Sequence, residues 1–167
     1  MIVIADTGPI NYLILIEKID VLPKLYGRIL VPPSVRGELQ RTKAPEPVRV
    51  WIGSPPAWLE VRAPTQAPDR ALLQAGLGLG ERDAIVLAQE LGADELVIDE
   101  WRGRREAGKR HLHFIGTLGV LRTAADQGLL DFRQTIAQLR TTKFPFYAGD
   151  SRSLDPWRGE MTHEHAR

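Results

Sequence analysis

Residues 2–5, Ile-Val-Ile-Ala, form an unbroken apolar run rich in β-branched side chains, and the run stops at a carboxylate, Asp6. Such a run suits a strand covered on both faces, as strands of a parallel sheet are, because neither face needs polar residues. The pattern returns at Glu95-Leu96-Val97-Ile98, which again ends in acid, Asp99-Glu100. In open parallel sheets ligands bind outside the carboxyl ends of the strands, so Asp6 and Asp99 are expected to approach one another.

The rest of the chain fills in an alternation of strands and helices. Asp6-Thr7-Gly8-Pro9 reads as a strand-to-helix turn with Pro9 near the first helical position, and Ile10–Ile19 as a helix. Arg28–Val31 is a second short strand stopped by Pro32-Pro33, with Ser34 as N-cap of a helix carrying Val35, Glu38 and Leu39. Residues 44–68 hold six of the twelve prolines, with Trp51 and Trp58. They read as a proline-punctuated excursion within one domain, with a short helix over Val48–Ile52 and a strand at Leu59–Val61.

Ala84, Ile85, Ala88 and Leu91 recur at helical spacing, so Glu81–Leu91 is a helix, stopped by Gly92. A basic helix is expected over about Arg102–Lys109, a strand at His113–Ile115, and helices opening at Gly116 and covering Asp131–Arg140. The pattern predicts an α/β fold with a mainly parallel sheet. The domain is expected to span residues 1–146, with 147–167 a polar, poorly ordered tail.

Composition narrows the chemistry. At 167 residues the chain is long enough to bury a core, and its 43% hydrophobic and 26% charged residues are ordinary for a folded domain. There is no cysteine, which excludes disulfides, thiolate metal sites and a cysteine nucleophile, and suits a reducing cytoplasm. The N-terminus lacks a signal-peptide pattern and the longest apolar stretch is too short for a bilayer, so a soluble cytoplasmic protein is expected. The net charge of +1 demands no nucleic-acid partner, so any such case rests on local patches.

Two helices add acids near their N-terminal ends, Glu38 and Glu81. Glu81 lies one turn before Ala84 and Ile85 and shares their inward face, whereas Asp83 falls off that stripe. Several carboxylates gathered together repel unless a cation neutralises them, and oxygen ligands select Mg²⁺ or Mn²⁺. A cation so held can activate water against a phosphodiester. Each acid taken alone has a simpler reading: a strand-end Asp, or the Asp99-Glu100 pair, as a helix cap, and Glu38 or Glu81 as a solvated first-turn acid.

The order of these motifs resembles PIN-domain nucleases, and within them the VapC-like toxin relatives. The matching pieces are residues 2–9 (IVIADTGP), 31–39 (VPPSVRGEL), 78–88 (GLGERDAIVLA), 97–107 (VIDEWRGRREA) and 116–121 (GTLGVL). The last two resemble a branch in which an Asp-Asp or Asp-Glu pair precedes an arginine-containing helix. The resemblance covers roughly residues 1–140. It implies a three-layer α/β/α fold and a metal-dependent endoribonuclease with Asp6, Glu38, Glu81 and Asp99 as catalytic acids.

By the same resemblance Asp6, Glu81 and Asp99 bind the metal and Thr7 supports the site. It further implies a homodimer, an RNA substrate and a small antitoxin partner. The chain departs from the family in two places. Many members carry Asp as third acid, so Asp83 rivals Glu81. Many also carry Thr-x-Asp at the fourth, where Val97 stands here, so Glu100 is an alternative to Asp99. Those departures leave a second reading open, a PIN-like RNA- or protein-binding module with weak catalysis.

Arg102, Arg104, Arg105 and Lys109, with Arg110, follow the second acid and are candidates for holding an RNA backbone, against a solvated helix face. Arg104 or Arg105 is also able to pair with a site carboxylate. Trp101 is either a stacking surface for a base or a packing residue. His111, His113, His163 and His165 lack helical ligand spacing and are not taken as ligands. Gly76–Gly80 is glycine-rich but has no P-loop lysine, so it is read as a flexible lead into the Glu81 helix.

Overall fold

The structure, a computed structural model, describes residues 1–146. The tail expected after Phe146, including His163 and His165, lies outside the described residues. Strands β1 (Val3–Ala5), β2 (Ile29–Val31), β3 (Leu59–Val61), β4 (Glu95–Val97) and β5 (Phe114–Ile115) form one sheet in the order β3-β2-β1-β4-β5. All four pairings are parallel. The chain lays down β1, β2 and β3 in one direction, then crosses to add β4 and β5 on the other side of β1. The order therefore reverses between β1 and β4, and the crevice at that reversal is where an open parallel sheet binds its ligand.

Nine helices occur among the described residues: α1 (Thr7–Leu15), α2 (Val21–Tyr26), α3 (Pro33–Leu39), α4 (Glu46–Gly53), α5 (Arg70–Leu73), α6 (Leu79–Leu91), α7 (Trp101–Lys109), α8 (Thr117–Asp126) and α9 (Phe132–Arg140). The two-residue period of each strand divides them into layers. Val3, Ala5, Ile29, Val31 and Val97 face one way, into a core shared with α1 to α4, α8 and α9. Ile4, Leu30, Leu96 and Ile98 face the other way, against Leu72, Ala107 and the Ala84–Ala88 stripe of α6. The result is the three-layer α/β/α architecture expected from the continuous apolar runs. Each fully buried Ile or Leu contributes about 1.5–3 kcal/mol relative to an exposed one. No helix of the described residues is long and apolar enough to cross a membrane.

The boundaries correct several expectations. The first helix starts at Thr7, directly after Asp6, and ends at Leu15 rather than Ile19, because Glu17 turns into the left-handed region at φ 57°. The short α2 that follows carries Pro23 at its third position and was not expected. Ser34 does not cap α3: Pro33 takes the first helical turn and Pro32 the cap position, so Ser34 lies within the helix. The four-residue α5 was also not expected. By contrast, Gly92 ends α6 in the left-handed conformation, φ 59° and ψ 50°, as a C-terminal glycine should. The Glu95 and Leu59 strands fall where the apolar runs put them.

Candidate active site

Asp6 continues β1 by one residue, its amide donating to the Val97 carbonyl at 2.9 Å. Its side chain thus leaves the sheet at the carboxyl end, beside β4 and at the reversal point. A cleft of about 290 Å³ opens there, lined by Asp6, Thr7, Tyr12, Glu38, Glu81, Asp99 and Glu100, with Gly8, Gly78 and Pro145. The structure therefore gathers around one cavity the acids picked out at the strand ends and on the two helices. Asp83 is not among the lining residues; its nearest ion partner is Arg82 at 3.6 Å.

Asp6 is 4% exposed, and among the described residues its Oδ1 has no hydrogen-bond partner. It occupies the N-cap position of α1 without making a side-chain cap bond, so the capping explanation for this aspartate fails. Burial holds its carboxyl well above the ordinary range. The charges of Glu81, Glu38 and Asp99 add to that shift, against the lowering effect of the Thr7 backbone amide.

Asp99 is 5% exposed and fully provided for. Its Oδ1 accepts from the Thr117 amide at 2.7 Å and its Oδ2 from the Thr117 hydroxyl at 2.6 Å. Arg104 approaches Oδ1 at 3.5 Å while its Nε donates to the Ile98 carbonyl at 3.0 Å. Thr117 was not singled out from sequence as a site residue. The signal was present in a Gly-Thr pair opening a helix directly after a strand of the same sheet. Gly116 is needed there, because a Cβ would stand 2.9 Å from Asp99 Oδ1 and collide with the Arg104 guanidinium.

Glu38 is held from both sides. The Thr7 hydroxyl donates to its Oε2, and the Gly80 amide donates to its Oε1 at 3.0 Å. Gly80 sits in the first turn of α6, and a Cβ there would come within 2.5 Å of Glu38 Oε2. The glycine-rich stretch is thus a backbone donor packed against Glu38, not merely a flexible lead. Glu81, half-buried one residue on, has its carboxyl pushed up to about 7. Burial is the main cause, followed by the Glu100 charge, against which the Gly78 amide works; Glu38 raises the value further and Arg102 lowers it.

Glu100 lines the cleft and also caps α7. Its Oε2 accepts from the amides of Arg102 at 2.8 Å and Gly103 at 3.1 Å. The capping reading of the Asp99-Glu100 pair therefore belongs to Glu100 alone.

The basic residues of α7 divide by helical phase. Arg104 turns inward to Asp99, and Arg110 is committed to Glu106 at 2.7 Å and Asp69 at 2.9 Å. Arg102, Arg105 and Lys109 are exposed and line a second hollow of about 220 Å³ with Trp101, itself half exposed. The Arg102 guanidinium lies 5.4 Å from the Trp101 ring centre.

A family model described as DUF3368, PIN domain, matches residues 2–151 of the chain. The chain belongs to the PIN-domain family. No curated protein matches it. PIN domains are in general nucleases, so a nuclease-type function and a nucleic-acid substrate come with membership.

PIN nucleases typically use divalent metals, and the donor set of this PIN domain can be tested for fit. Among the described residues no three or more His, Asp or Glu side chains form a ready-made cage that could hold a metal ion. Such a cage is not what Mg²⁺ requires, since it keeps several waters and binds through one or two carboxylates plus a substrate phosphate. An ionised Asp6, buried with no partner for its Oδ1 among the described residues and with the charges of three further acids acting on it, carries a large electrostatic cost that a proton or a cation relieves. The residues fit a hard divalent cation.

Proposed function

We propose that this PIN domain is a Mg²⁺- or Mn²⁺-dependent endoribonuclease of the VapC-like kind, the toxin of a toxin–antitoxin pair. One observation carries the reading: Asp6, 4% exposed and with no partner for its Oδ1 among the described residues, faces a cleft shared with Glu38, Glu81 and Asp99. Asp6, Glu81 and Asp99 are the acids that would hold the metal, one or two of them directly and the rest through its waters. When bound, the cation lowers the pKa of a water and neutralises charge on the phosphate under attack.

The chain's own groups do the remaining work. Thr117 and Arg104 fix the orientation of Asp99, so that its carboxylate presents the same face each time. Thr7 and Gly80 hold Glu38 against the cleft wall, where it is placed to accept a proton from water. Glu81, with its carboxyl pushed up to about 7 in the absence of metal, gives up its proton when a cation binds. Arg102, Arg105 and Lys109 hold the RNA backbone beside the cleft, and Trp101 offers a face for an unpaired base. Homodimerisation and silencing by a small antitoxin follow from the VapC likeness.

The test is cleavage of RNA by the full chain with Mg²⁺, with Mn²⁺ and with EDTA, beside Asp6→Asn and Asp99→Asn. Metal-dependent cuts inside the RNA, lost in both variants, are expected. Undiminished cleavage in both variants overturns the proposal. RNA binding with no turnover in any metal favours a binding module instead.

A further inference from the structure

The cleft has a second cationic flank, opposite α7, that the sequence reading did not include. A groove of about 400 Å³ is lined by Thr7 and Glu38, which also line the acidic cleft, and by Asn11, Arg41 and Lys43. The two hollows are therefore contiguous. Arg41 and Lys43 stand in the turn between α3 and α4, both exposed, and among the described residues neither has an ion pair or side-chain hydrogen bond. That turn is tied to the site-bearing helix. The Arg41 amide donates to the Glu38 carbonyl at 3.3 Å, and the Ala44 amide donates to the Arg41 carbonyl at 2.9 Å. The backbone that carries these two cations is thus set by the end of the helix that carries a cleft carboxylate.

On the other side, Glu100 of the cleft is followed at once by Trp101 and Arg102, which line the α7 hollow, and the Arg102 charge is felt by Glu81. Lys109 of that hollow is paired with Glu106 at 3.0 Å, but Arg102 and Arg105 have no ion pair among the described residues, and an acidic centre with such cations on both sides is matched by a chain that carries a negative charge at each repeat. A ligand with a single phosphate would need only one flank.

We propose that Arg41 and Lys43, with Asn11, form a backbone-binding subsite for one arm of a single-stranded nucleic acid whose other arm lies on Trp101, Arg102 and Arg105. The strand then runs across the β1–β4 crevice, held on both sides of the acids, and the bond cut lies inside it. This rests on the nuclease reading above. The subsite is distinguishable from it, because binding is measured without turnover.

The experiment is fluorescence anisotropy of an end-labelled, unstructured 16-nucleotide RNA, and of the DNA of the same sequence. It uses the full chain in EDTA over a salt series, comparing wild type, Arg41→Ala/Lys43→Ala and Arg102→Ala/Arg105→Ala. Each single-strand phosphate contact contributes about 0.7 to the slope of log affinity against log salt, so losing two should flatten it by about 1.4. Affinity should fall about tenfold at moderate salt in each double variant. A loss with RNA, DNA or both supports the subsite and tells which sugar it accepts.

Wild-type affinity and slope in Arg41→Ala/Lys43→Ala overturn it, whatever the α7 variant does. In that case cleavage in Mg²⁺ by the same preparation shows whether the nuclease reading stands without the subsite. Failure of both binding and cleavage in wild type removes the two together.

Discussion

The two walls of the cleft treat equally buried aspartates in opposite ways. Asp6 and Asp99, 4% and 5% exposed, end neighbouring strands of one sheet. On the β4 wall, the Thr117 amide, the Thr117 hydroxyl and Arg104 all serve Asp99. On the β1 wall, one oxygen of Asp6 is left without a donor among the described residues, and the charges of three acids act on it. An ionised carboxylate that is buried needs donors or a counter-charge. The protein supplies these to both oxygens of Asp99 and, among the described residues, leaves one oxygen of Asp6 without any, the contrast on which the proposed metal site rests.

The comparison is tested most severely by Asp6→Asn. Cleavage should fall by about three orders of magnitude, the scale set by removing a group at the reacting centre. Stability should not fall with it. The folded state holds a proton on Asp6 well above the ordinary range, so this group favours folding at low pH. That contribution disappears as pH rises from the usual Asp value through the raised one. In EDTA at pH 8, Asp6→Asn should therefore equal wild type or exceed it by about 1 kcal/mol in urea denaturation. A loss of several kcal/mol would show that Asp6 is as well served as Asp99, and the contrast would collapse.

On the opposite wall the expectation reverses. Thr117→Val strips two-point support to one, leaving a buried carboxylate oxygen without its hydroxyl, and should cost about 1–3 kcal/mol of stability. Cleavage should drop about 10- to 100-fold, as when an outer partner of a metal ligand is lost. Thr117→Ser keeps the hydroxyl and should recover most of both. Equal activity in the Val and Ser variants would show that Asp99 does not depend on this hydroxyl.

What sequence revealed and what it hid follow the same division. Asp6 and Asp99 were legible because a short apolar run covered on both faces leaves few other ways to end. Glu81 was legible because α6 is long enough to show a stripe, and Gly92 because a left-handed cap has a preferred residue. Thr117 was not, since a hydroxyl at a helix start carries many uses and only the third dimension brings it under Asp99. Nor was the fate of Arg104 against Arg105. Basic residues surround α7, and only its packing beside Ile98 decides which guanidinium turns in. The α1 boundary was hidden for another reason. Glu17 adopts a left-handed conformation without the glycine that normally announces one. Arg41 and Lys43 gave no pattern at all, because they lie in a turn whose position beside Glu38 is set by the fold.

A smaller effect comes from Glu81, whose carboxyl is pushed up to about 7. In the absence of metal its contribution favours folding below the ordinary Glu range and is lost as pH rises toward 7. A cation needs the ionised form, so the affinity for Mg²⁺, followed by thermal shift, should rise about tenfold between pH 6 and pH 8. Glu81→Gln should flatten that rise. If the slope persists in the variant, another group controls metal uptake and Glu81 is not a ligand.

The smallest expected change belongs to Asp83, and it decides which acid of α6 serves the site. Glu81 and Asp83 lie two residues apart, about 200° around a helix, so one face cannot hold both. Glu81 lines the cleft and exchanges charge with Glu38 and Glu100, while Asp83 stands outside beside Arg82. The Arg82 contact, 3.6 Å between neighbouring residues on a partly exposed surface, is worth little. Asp83→Asn should accordingly leave stability within about 0.5 kcal/mol of wild type and cleavage unchanged. Loss of cleavage in Asp83→Asn with retention in Glu81→Gln would mean that α6 turns its other face to the substrate. The Gly80–Glu38 contact, which fixes the phase of α6 at its first turn, would then have to break as well. Asp83→Asn combined with Gly80→Ala tests that link, since a Cβ at Gly80 pushes on Glu38 only if α6 sits as described.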